Sequence, residues 1–74
     1  MNLKAKSLGL EAGGKSVVVL SREDAEDLSV ASLERVRIRS DRNEVIAIVN
    51  TATKLIERGT VGVYEEVKNS LDLK

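Results

Sequence analysis

Residues Gly9 to Ser16, Gly-Leu-Glu-Ala-Gly-Gly-Lys-Ser, reproduce the pattern GxxxxGK[ST] letter for letter. In a phosphate-binding loop that spacing lets successive backbone N–H groups cradle phosphate oxygens at the mouth of a helix. The Lys then reaches the outer phosphates and the Ser holds magnesium. Here Ser16 is followed by Val17, Val18, Val19 and Leu20. Three β-branched residues in four positions favour a strand over a helix, so no helix mouth follows Lys15. The preferred reading is a turn over Glu11–Gly14, with the glycine pair supplying positive φ.

Three other groupings could carry chemistry. Glu23, Asp24, Glu26 and Asp27 could pair for acid–base work or hold a hard cation, but acids at the start of a solvated helix are explained by its dipole. Glu65 and Glu66 take the same explanation. Arg35, Arg37 and Arg39 could make a few phosphate contacts. With no aromatic residue on that strand to stack a base, and Glu34, Asp41 and Glu44 nearby, a solvated face is the simpler account. Tyr64, the one aromatic residue, is read as a core or barrel-end plug. No Ser has a base to activate it, because the chain has no His.

Composition narrows the choices further. Without Cys or His, disulfides, thiolate metal sites and imidazole chemistry are excluded. Twelve basic residues balance twelve acidic ones, so no global field favours nucleic acid or membrane. No apolar run approaches a bilayer span and the N-terminus lacks a signal-peptide stretch, so a cytoplasmic protein is expected. Seventy-four residues make one small domain with a limited core. Ten Val and four Ile against no Phe or Trp lean it towards β structure.

The elements that must position these groups follow from periodicity. Strands are expected over Asn2–Leu10, Val17–Leu20, Leu33–Arg39, Val45–Val49 and Val61–Tyr64, with a further extended segment over Thr53–Glu57. On Leu33–Arg39 the arginines share one face, and Glu34, Val36 and Ile38 share the other. The continuous run Val45–Val49 predicts cover on both faces. Ser40–Asn43 has the composition of a type I turn. Ser21 is placed as the cap of a short acidic helix ending near Val30. Glu65–Leu71 forms a second helix, with Val67 and Leu71 on one face.

Read as units, the two halves repeat. Strand, turn, strand, helix, strand in the first becomes strand, turn, strand, helix in the second. The expected fold is mainly β with two short helices: a small double-psi-like (cradle-loop) β-barrel built from a pseudo-repeated β-β-α-β unit, its last strand missing. The chain (1–74) is thus expected to be a barrel domain cut short at its C-terminal end. An open edge is expected at Val45–Val49 or the first strand.

Three stretches carry a family resemblance: "LKAKSLGLEAGGKSVVVLSREDAEDL", "ERVRIRS" and "KLIERGTVGVYEEV". In this order and spacing they resemble the N-terminal domain of archaeal AMP phosphorylases, homologues of thymidine phosphorylase. The resemblance implies a small barrel ahead of a catalytic body that releases the base from a nucleoside 5′-monophosphate with phosphate. It implies a role in assembling subunits into homo-oligomers. It also implies a further strand of the type "E-G-D-x-V-x-V" beyond Asp72–Lys74. No catalytic, cofactor-binding or metal-binding residue is expected within 1–74, and no cofactor. The expected partners are other subunits and the catalytic body, not nucleic acid or membrane. The rival reading is a free-standing DNA-binding or protein-adaptor barrel of the same fold group, supported by the arginine stripe.

Overall fold

Val17–Ser21, which opens with three consecutive valines, forms the central strand of a five-stranded sheet. The computed structural model describes residues 2–73. Its elements are β1 (Lys4–Ser7), β2 (Val17–Ser21), α1 (Arg22–Asp27), β3 (Arg35–Ser40), β4 (Asn43–Ala52), β5 (Thr60–Val63) and α2 (Glu65–Ser70). The sheet order is β1-β5-β2-β4-β3, and it curls into a half-barrel. β2 runs parallel to β4 and antiparallel to β5; β1 runs parallel to β5, and β3 antiparallel to β4. The expected mainly-β class with two short helices is therefore observed.

The repeat is visible residue by residue. Leu28, Ser29 and Val30 close α1 with N–H bonds to the carbonyls of Asp24, Glu26 and Ala25. Forty-three residues on, Leu71, Asp72 and Leu73 close α2 on Val67, Asn69 and Lys68. Ser29 and Asp72 both take positive φ, 57° and 54°, so each helix ends in a Schellman cap made without glycine. The bond from Ile48 N–H to Ser16 O has its counterpart in Lys4 N–H to Gly59 O, with Ser16 and Gly59 43 residues apart and Lys4 and Ile48 44 apart. Val18 pairs with Val63, and Leu20 with Val61, across a centre at Val19–Gly62.

Val18, Leu20, Ala47, Val49, Val61 and Val63 fill the inner face, and α1 and α2 add Ala25 and Val67 to the same core. Each fully buried Val contributes roughly 1.5–3 kcal/mol, an upper figure because unfolded chains already bury some surface. The sheet's other face is partly covered as well. Val19 lies opposite Gly62, and the side chains of Ile56 and Leu8 close over that glycine.

Several sequence expectations need correction. Thr53–Glu57 is a bend rather than a strand. β4 and β5 flank β2 on opposite sides, so the link between them must pass over the end of β2, and it buries Ile56 on the way. Val45–Val49 is not covered on both faces. Ala47 and Val49 are buried, Ile46 is 58% exposed, and β4 pairs on both sides, so this run is not an open edge. It is β2 that is buried along nearly its whole length. The hairpin between β3 and β4 turns on Asp41 at φ 51°, where a type I turn needs negative φ; Asp tolerates that region. The first strand is shorter than Asn2–Leu10, and the third begins at Arg35. The outer strands β1 and β3 each have one unpaired edge. The strand expected beyond Lys74 lies outside the described residues.

Candidate functional site

The GxxxxGK[ST] stretch occupies the link from β1 to β2, which crosses the end of β5. As its sequence implies, it leads into a strand. Its backbone nonetheless holds an anion, and that anion belongs to the chain. Glu66, in the first turn of α2, takes the Ala12 N–H on both carboxylate oxygens at 2.9 and 3.0 Å, and the Gly14 N–H at 2.7 Å. The Ala12 N–H group first, and that of Gly14 next, hold the Glu66 carboxyl below its ordinary pKa. Leu10 adds its carbonyl, which accepts the Glu65 N–H at 2.8 Å. That bond replaces a side-chain cap at Tyr64, which makes none. The dipole explanation for Glu66 is thus incomplete. The missed signal is Tyr64 itself, a poor N-cap residue whose helix start has to find a partner elsewhere.

The acidic helix α1 does the equivalent work for the other half. Ser21 caps it as expected, its Oγ accepting from the Asp24 N–H at 3.1 Å. Asp24 is not solvated. Its side chain is only 3% exposed, accepts the Gly59 N–H at 2.7 Å, and has Arg58 Nε at 3.7 Å. Glu26 lies 3.4 Å from Arg22, and Asp27 lies 2.7 Å from Arg58. Asp24 and Asp27 hold the turn before β5, just as Glu66 holds the turn before β2. Among the described residues no three His, Cys, Asp or Glu side chains come together to hold a metal ion.

The arginines of β3 share an exposed face, as their alternation requires. Glu44 on β4 sits 3.2 Å from both Arg37 and Arg39. Arg35 lies beside Lys15, Ile46 and Ile48 in a shallow depression on the outer face of β4. On the inner side, a trough of about 610 Å³ opens between β1 and β3, floored by Val18, Leu20, Val36, Ile38 and Val61, with Arg37 and Arg39 at its lip. No buried side-chain N or O among the described residues lacks a hydrogen-bond partner. Among the described residues no helix is long and apolar enough to cross a membrane. Tyr64, half-buried, marks the start of α2.

The comparisons with known proteins agree with this architecture. The sequence profile described as "Molydopterin dinucleotide binding domain" matches residues 1–70. The chain is 32% identical over 71 residues to an AMP phosphorylase of Methanocella arvoryzae, covering 96% of this chain and 14% of that protein. An AMP phosphorylase of Methanococcoides burtonii is 37% identical over 71 residues, with the same coverages of 96% and 14%. The chain therefore spans about a seventh of the length of these relatives. Among solved structures, acetylene hydratase from Pelobacter acetylenicus superposes with a TM-score of 0.69 at 15% identity, over 84% of this chain and 11% of that one; this likeness concerns the fold alone. The resemblance to the N-terminal domain of archaeal AMP phosphorylases is borne out by the named relatives. Matched by its profile over almost its full length, this chain belongs to the molydopterin dinucleotide binding domain family.

Proposed function

We propose that this chain is the non-catalytic N-terminal domain of a nucleoside 5′-monophosphate phosphorylase, serving oligomer assembly and the positioning of a catalytic body. One observation carries the reading. Nearly the whole chain matches enzymes named AMP phosphorylase while covering a small fraction of them, and its most engaged acids hold its own turns. Glu66 and Asp24, the acids best placed to hold something, hold backbone N–H groups.

The finer fold reading is a double-psi barrel. The repeat that relates β1 to β4 and β2 to β5 relates β3 to a sixth strand, antiparallel to β1 along its unpaired edge. That strand would lie over the apolar trough and meet the open edge of β3. An edge left uncovered invites pairing with another chain.

A dinucleotide, the ligand in the family's description, is not part of this reading. A dinucleotide would need a surface for its bases, and the described residues offer no aromatic face beyond Tyr64, which is half-buried at the start of α2. The trough floor is aliphatic, and no buried side-chain polar atom among the described residues waits for a partner. The free-standing DNA-binding reading loses support because Glu44 pairs with two of the three arginines and offsets one of their charges.

The test is an assay of the pure 74-residue chain with AMP and inorganic phosphate. No adenine release above background is expected. Release that scales with the chain's concentration would overturn the non-catalytic reading.

A further inference from the structure

The GxxxxGK[ST] stretch has no part in the proposed function, yet its backbone does what such a stretch does. Two N–H groups converge on one oxyanion at 2.7–3.0 Å. Gly13 and Gly14 take φ of 66° and 87°, and nothing lies within 4 Å of where a Cβ would stand on either. The outer side of the turn is therefore open to solvent, and the glycines hold positive φ that keeps both N–H groups aimed at one point. Lys15 follows directly, exposed, with no carboxylate within 4 Å among the described residues. We propose that the Ala12–Gly14 turn is an oxyanion site suited to a phosphoryl group, with the Glu66 carboxylate as its resident occupant.

The chemistry is that of exchange between like groups. A phosphoryl group offers acceptor oxygens of the same kind as a carboxylate, with more negative charge, and backbone N–H groups in such a concave turn bind either. Glu66 holds the place because it is tethered. Presented by α2 beside the turn, it competes at a high effective concentration, which a free anion in solution has to match. Removing Glu66 should leave the donors pointing at solvent, with the turn still shaped by its two glycines and by the Leu10 carbonyl on Glu65. The nearby charges that modulate the exchange are Lys15 and Glu11 on the turn, and Glu65 and Lys68 on α2. The last two are 4.0 Å apart and largely offset each other.

The probe is sodium pyrophosphate at constant ionic strength, titrated into the 74-residue chain while the amide resonances of Ala12 and Gly14 are followed by NMR. In Glu66→Ala those two amides should shift saturably, at least about tenfold tighter than in the wild type. Lys15→Ala in the same background should weaken the response. Glu66→Gln, which keeps one acceptor oxygen without the charge, should fall between. Unmoved amides in a folded Glu66→Ala chain, or an equal response in the wild type, would overturn the site. If Glu66→Ala does not fold, the Gln variant and the wild type decide. Ala12 and Gly14 amides that fail to follow the titration of the Glu66 carboxyl, or a Gln variant no more responsive than the wild type, would likewise overturn it.

Discussion

Replacing Asp24 with Ala tests whether burial or distance sets the worth of a charged contact here. Arg58 lies closer to Asp27, at 2.7 Å, than to Asp24, at 3.7 Å. Distance alone would rank Asp27 first. But the Asp27 side chain is 50% exposed, and an exposed pair contributes about 0–1 kcal/mol. Asp24 is 3% exposed and also accepts the Gly59 N–H at 2.7 Å. A hydrogen bond to a charged acceptor is worth about 1.5–3 kcal/mol, and its loss strands a partly buried donor. The Arg58 contribution adds little, because that side chain is 62% exposed. Asp24→Ala should therefore cost about 2–3 kcal/mol and Asp27→Ala about 0.5 kcal/mol. Asp24→Asn, which keeps an acceptor for Gly59, should lose about 1 kcal/mol. Small domains have urea slopes near 1 kcal/mol/M, so the Asp24→Ala midpoint should fall by about 2–3 M. Urea unfolding of the three variants, followed by circular dichroism, gives the ranking. Equal midpoints for Asp24→Ala and Asp27→Ala would refute the reasoning.

Other substitutions probe the packing and the turns. Val49→Ala, at a fully buried position, should cost about 2–3 kcal/mol in the same unfolding assay, while Ile46→Ala on the outer face should cost under about 0.5 kcal/mol. Gly62→Ala should destabilise by about 1–3 kcal/mol, since its new Cβ would sit 2.7 Å from Ile56 Cδ1; trimming Ile56 to Val should recover part of that loss. Because folding lowers the Glu66 pKa below its ordinary value, the unfolded chain binds more protons there. Its contribution is therefore complete above about pH 4.5 and is lost as pH falls through the folded value. Thermal melts should show a shallower acid-side decline in Glu66→Gln than in the wild type.

Local patterns made much of this fold legible. The alternation of Arg35, Arg37 and Arg39 with Val36 and Ile38 gives β3 its faces, and Val17–Leu20 marks the central strand. Ser21 announces α1 through its cap. The repeat was legible too, because each half has to end its middle strand in a helix. What was hidden depends on neighbours distant in sequence. Ile46 looks buried in the run Val-Ile-Ala-Ile-Val, but only the sheet order decides that β4 has one inner face. The Thr53–Glu57 link has a strand's composition and a crossing loop's task. Helix ends at Ser29 and Asp72 carry no glycine to signal them. Asp24 and Glu66 read as dipole-complementing acids, because their real partners, Gly59 and the Ala12–Gly14 turn, lie 35 and 52–54 residues away.

The proposed role in assembly rather than chemistry can be examined in a full-length relative. The AMP phosphorylase of Methanocella arvoryzae matches this chain over 71 residues. Light scattering after size-exclusion chromatography, with and without that segment, should show a smaller assembly for the shortened protein. Base release from AMP per remaining catalytic body should persist. An unchanged assembly accompanied by lost base release would contradict the account and assign the domain to the reaction itself.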